Sequence, residues 1–112
     1  MTSPSKLLVL LLVVLPALAF GAPARENWEN LCAKCHGDSG EGHTKEGGKR
    51  RTKNYTDPKV QAEFADAGLL KNLMLGIQAN DGEERMPAYK DKLSVSEAKE
   101  LIALIRSFKK AE

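Results

Sequence analysis

The chain has few of the features that stabilise small domains. Among 112 residues there are two cysteines, and aromatics make up 5%. The cysteines, Cys32 and Cys35, lie three apart, and a disulfide between them would close too small a loop to stabilise much. Neither sign of charge prevails: 17 basic residues face 15 acidic ones, so the polyelectrolyte contrast of a nucleic-acid binder is missing. The longest apolar run, residues 7–20, is about 14 residues, short of the roughly 20 needed to span a bilayer. Alternating strand patterns, internal repeats and low-complexity tracts are also missing. What remains is one domain with no visible staple.

The N-terminus has a different purpose. Lys6 precedes the apolar run, Pro16 interrupts it, and small residues follow at Ala17, Ala19, Gly21, Ala22 and Ala24. That order predicts a secretory signal peptide over residues 1–21, with cleavage after Ala19, Gly21 or Ala24. It also predicts a periplasmic mature domain over residues 22–112, with no stable membrane insertion once the leader is removed. Cys32 is too far from these sites to become a lipid-bearing N-terminus. The mature domain, of about 90 residues, buries only a modest core and needs a staple from elsewhere.

Apolar residues Ala24, Trp28, Leu31, Cys32 and Cys35 recur at helical spacing and predict a helix over residues 24–36, ended by Gly37. Residues 37–53 are rich in glycine and charge and predict a long loop, of the kind that serves a function or wraps a ligand. Asp57-Pro58 reads as an N-cap and first helical residue, opening a short helix with Val60 and Phe64 on one side. Asp66 is expected to cap another, whose stripe is Leu69, Leu70, Leu73, Met74 and Ile77, with Gly76 near its end. A second loop over residues 78–93 carries Met86-Pro87. Ser94 and Glu97 form a capping box for a last helix that should bury Val95, Ala98, Leu101, Ile102, Ile105 and Phe108. The expectation is an all-α domain of about four short helices and two long loops.

Cys32-Ala33-Lys34-Cys35-His36 is a C-x-x-C-H motif, which reads as attachment of c-type haem. Two thiols one turn apart can each add to a vinyl group of one ring, and the next residue, His36, can present its imidazole to the iron. The other ring nitrogen is expected to donate to a backbone carbonyl. One covalent haem c would also supply the missing core. Three alternatives are weaker. Zinc needs four ligands, and adjacent Cys35 and His36 fit two tetrahedral corners poorly. A thioredoxin-like dithiol needs a βαβ context. A structural disulfide would constrain almost nothing.

The second axial ligand decides the chemistry. Met86, stiffened by Pro87 in a loop, is the candidate. Met74 sits on an apolar helical stripe and reads as core, and His43 lies only seven residues after His36, in the glycine-rich loop. With His36 and Met86 both bound to iron, the protein transfers electrons; His/Met ligation raises the potential relative to His/His. A displaceable Met86 would instead permit gas binding or peroxidatic chemistry.

With these residues, the chain resembles the class I mono-haem cytochromes c, in the small bacterial periplasmic branch. The resemblance covers the whole mature chain. It rests on an N-terminal helix ending in C-x-x-C-H, a glycine-rich loop, the segment Met86-Pro87-Ala88-Tyr89, and a C-terminal helix. It implies the cytochrome c fold around one covalent haem, with thioethers at Cys32 and Cys35 and axial ligands His36 and Met86. Its activity would be electron carriage between a redox donor and an acceptor, as a monomer or a small subunit of a redox complex, rather than catalysis. Trp28 would then cross the last helix near Leu101 and Leu104, and Tyr55 would pack near the haem edge. Two departures stand out: Thr52-Lys53-Asn54 lacks the proline common before that aromatic, and Leu104 occupies a place often aromatic. The cluster Lys49, Arg50, Arg51 and Lys53 is a solvated loop surface or a partner for propionates and acidic proteins. Lys34 is expected beside the exposed haem edge, and Tyr89 in the packing of the haem pocket.

Overall fold

The structure, a computed structural model, describes Ser5, residues 8–13 and residues 21–111. Lys6 and most of the expected signal peptide lie outside the described residues. Within it, Leu8, Val9, Leu10, Leu11, Leu12 and Val13 stand 68–83% exposed.

The first helical stretch is broken rather than continuous, as α1 (Ala24–Leu31) and α2 (Ala33–His36). At the break Cys32 adopts φ −121° and ψ −39°, and the Cys35 N–H donates to the Cys32 carbonyl at 3.2 Å instead of to Leu31. Cys32 is buried and Cys35 half-buried, so the apolar face survives the break. Periodicity alone could not reveal it.

The first long loop contains a helix, α3 (Lys45–Arg50). Its six residues hold two glycines and nothing apolar, so no hydrophobic period marks it. Caps make it instead. The Thr44 hydroxyl accepts from the Gly47 N–H at 2.8 Å, and Arg51, in the left-handed region at φ 56°, returns its N–H to the carbonyls of Gly47 and Gly48. Thr44 also donates to the Cys35 carbonyl at 2.6 Å. A β-carbon on Gly47 would collide with that same carbonyl, so glycine is what lets α3 lie against the C-x-x-C-H turn.

Helix α4 (Pro58–Glu63) starts as expected, with Asp57 accepting from the Lys59 N–H. Helix α5 (Asp66–Leu75) does not: its N-cap is Ala65. Asp66 instead takes the Arg106 guanidinium at 2.9 Å; a tertiary ion pair outweighs the local cap. The second loop carries a hairpin that the sequence did not predict, β1 (Ile77–Gln78) against β2 (Glu84–Met86), with Ile77 opposite Met86. Strands of two and three residues are too short to show alternation.

Helix α6 (Val95–Ser107) has the full capping box. It packs against α1 and α5, burying Ala98, Leu101, Ile102 and Ile105 with Trp28, Leu69 and Leu73. Leu104 is partly buried at the edge of this core. Val95, expected inside, is 50% exposed, because its turn belongs to the solvent-facing box. A polar tie reinforces the crossing. Buried Gln61 donates to the carbonyls of Tyr55 and Ile105 at 2.7 and 2.8 Å, and Arg106 donates to the Gln61 carbonyl at 2.6 Å. The architecture is all-α apart from the hairpin. Among the described residues no helix is long and apolar enough to cross a membrane.

Candidate haem site

A cavity of about 730 Å³ opens between the C-x-x-C-H turn and the hairpin, within the range of cofactor sites. Cys32, Cys35 and His36 line it from the C-x-x-C-H turn, Tyr55 and Phe64 from the segments that follow, Met86 from β2, and Tyr89 from just beyond β2. A small void of about 20 Å³, lined by His36, Met86, Leu69, Leu73 and Ile105, lies where the cavity meets the core. The four residues singled out in the sequence therefore share one cavity. Met74 and His43 do not line it; Met74 is partly buried against the core and His43 is exposed.

His36 is held by aromatic rings. Its imidazole lies 5.5 Å from Trp28 on one contact and stacks on Tyr55 at 5.5 Å and 21° on another. Trp28 is fixed in turn by Phe108, 5.0 Å away, and by donating to the Gly37 carbonyl at 2.9 Å. Burial pulls the His36 pKa down to about 4, so the imidazole is neutral near pH 7 and keeps a lone pair for a metal. The carbonyl acceptor expected for its second nitrogen is missing: Nδ1 is buried and unpartnered. The segment that lacks the proline leads instead to Tyr55, whose N–H is spent on the Gly40 carbonyl and whose ring covers the imidazole. Ring contacts with Tyr55 and Trp28 flank the imidazole instead.

No disulfide joins Cys32 and Cys35. Burial, then the neighbouring Cys35, pushes the Cys32 thiol up to about 12. A thiol so far from ionising is a poor attacking group for a dithiol oxidoreductase, which needs a depressed pKa. Among the described residues no group of three or more His, Cys, Asp or Glu is arranged to hold a metal ion.

Met86 is clamped from behind. Gly76, at φ 74° and ψ −177°, occupies backbone space essentially closed to other residues. A β-carbon there would strike the backbone of Met86, Pro87 and Ala88. The Tyr89 and Lys90 N–H groups donate to the carbonyls of Leu73 and Met74, binding the segment after the methionine to the end of α5.

A family model described as cytochrome C oxidase, cbb3-type, subunit III matches residues 20–105. The chain belongs to this family of c-type cytochromes. The solved structure of the KustC0563 c-type cytochrome is 27% identical, with a TM-score of 0.71 over 80% of this chain and 100% of that one. A point mutant of that protein gives 26% identity and a TM-score of 0.68 over 79% of this chain and 100% of its own. No curated protein matches the chain.

As a c-type cytochrome it carries covalently bound haem c, and the cavity suits that group. Its floor is apolar. Its rim holds Arg50, Arg51, Lys53 and Arg85 beside Asp81, basic groups of the kind that propionates need, with Arg50 also pairing with Glu84 at 3.8 Å and Lys53 with Glu63 at 3.7 Å. The basic cluster thus lies at the cytochrome's cavity mouth, except Lys49, which pairs with Glu46 at 3.6 Å. Lys34, expected at the haem edge, is exposed and does not line the cavity. Sequence reasoning gave no role to Arg85 or to Gly76, which it placed only near the end of the expected helix; α5 in fact ends at Leu75, with Gly76 as its C-cap.

Proposed function

We propose that this cytochrome is an exported mono-haem electron carrier. Cys32 and Cys35 form the two thioethers, and His36 and Met86 are the axial ligands. The observation that carries this reading is that all four of these side chains line one cavity, with Met74 and His43 outside it. When bound, the haem supplies an iron that cycles between ferric and ferrous states. The chain does the rest. Trp28 and Tyr55 hold the imidazole plane, Gly76 and the hairpin hold the thioether, and the aromatic walls keep water from the iron. Rigid ligands on both sides favour fast single-electron exchange and leave no position for a substrate, which sets this reading against gas binding or peroxidatic chemistry.

The test is the oxidised spectrum of the haem-loaded protein. Wild type should show a thioether–iron charge-transfer band in the far red. Met86→Ala should abolish the band and lower the reduction potential, whereas Met74→Leu should keep both. A band that survives Met86→Ala defeats the assignment. Rapid, tight carbon monoxide binding to ferrous wild type would favour the gas-binding alternative. The matched family's description names an oxidase subunit, and the same electron carriage within a larger assembly is the second reading. Co-migration with a larger complex in native extract would select it over a freely diffusing carrier.

A further inference from the structure

We infer that Tyr89 is a positioning residue for the distal ligand: its hydroxyl latches the Met86 segment to the carbonyl that the break in the haem-attachment helix sets free. This inference rests on Met86 being that ligand.

The break at Cys32 has a cost. A continuous helix would direct the Cys35 N–H to the Leu31 carbonyl, but that N–H goes to Cys32 instead. Leu31 is half-buried, and a buried carbonyl without a donor is unfavourable. The Tyr89 hydroxyl donates to it at 2.9 Å. Two residues separate Tyr89 from Met86, and one of them, Pro87, stiffens the path. The Tyr89 backbone is itself fixed. Its N–H donates to Leu73 at 3.0 Å, and its carbonyl accepts from Lys92 and Leu93 at 2.9 Å each. The Met86 segment is therefore tied at one end to α5 and through one hydroxyl to α1, directly before Cys32. Arg50, reaching the Arg85 carbonyl at only 3.4 Å, adds a looser contact from α3.

A tie of this kind opposes the outward swing that lets an external ligand replace the methionine. Removing one neutral hydrogen bond and leaving its acceptor unpaired should raise the open population about three- to tenfold. Closed-state ligation does not change, so the far-red band at neutral pH persists.

The experiment compares imidazole binding to the ferric, haem-loaded wild type and Tyr89→Phe by stopped flow. The variant should retain its haem and far-red band while imidazole association accelerates about three- to tenfold. Equal association rates overturn the latch, even if the variant is less resistant to denaturant, because a purely structural role lowers global stability without opening the native state. If Tyr89→Phe fails to mature, wild type answers by proton NMR of the ferrous state. A slowly exchanging Tyr89 hydroxyl proton close to Leu31 supports the latch; exchange at the bulk rate rejects it. A missing far-red band in wild type would instead refute the Met86 assignment, so the two failures are distinguishable.

Discussion

Trp28→Phe tests how the proximal ligand is held. The indole is 1% exposed, lies 5.0 Å from Phe108 and 5.5 Å from His36, and donates to the Gly37 carbonyl. Phenylalanine keeps an aromatic ring but loses the bulk of roughly two to three methylenes, costing about 2 kcal/mol at about 0.8 kcal/mol each. It also leaves the Gly37 carbonyl without its donor, adding about 1 kcal/mol. The sum, about 3 kcal/mol, is a large share of the 5–15 kcal/mol typical of a domain (about two powers of ten in the unfolding constant). Urea titration of the ferric, haem-loaded protein by far-ultraviolet circular dichroism and by Soret absorbance should show the loss with little change in slope. Because the same ring abuts the imidazole, the low-spin ferric electron paramagnetic resonance anisotropy should shift as well. A loss below about 1 kcal/mol, with an unaltered resonance, would show that Trp28 is not the wedge behind His36.

Three further outcomes are expected. Gly76→Ala forces a side chain into a glycine-only conformation and against the Met86 backbone; the strain alone should cost about 1–3 kcal/mol, with weakening of the far-red band as the readout. Glu97 has its carboxyl held below the ordinary 4.5 by hydrogen bonds from Ser94 and then Asn27. Its contribution is therefore present above that value and lost as pH falls through the folded pKa; wild type should lose more stability than Glu97→Gln between neutral and acid pH, and parallel losses would refute the role. Neutralising Arg50, Arg51 and Lys53 together should slow association with an acidic redox partner at low salt and flatten the salt dependence. Salt-independent association of wild type would reject steering by this rim.

What could be read from the sequence was what periodicity and short-range chemistry encode. The Ser94–Glu97 box, the Asp57-Pro58 start and, Val95 apart, the buried stripe of α6 are local, and these are present. The C-x-x-C-H motif and Met86-Pro87 named the residues that meet in the cavity, because spacing along the chain limits how two thiols and an imidazole can face one ring. Features made by tertiary contact were hidden. Helix α3 rests on Thr44 and on Gly47 lying against Cys35, with no apolar period to announce it. Asp66 looks like a cap until Arg106 is seen beside it. The break at Cys32 keeps its apolar face, and β2 is three residues long. The rings of Trp28 and Tyr55 that flank His36, and Phe108 behind Trp28, come from three separate segments, a juxtaposition no local window contains.

The central claim is that one haem is bonded to both sulfurs of the C-x-x-C-H turn. Intact mass and a pyridine haemochrome spectrum of the purified exported protein test it together. The account predicts a mass gain of a single haem, a spectrum characteristic of two thioethers, and no thiol left to alkylate. A colourless protein with intact helices and both Cys32 and Cys35 open to alkylation would contradict it.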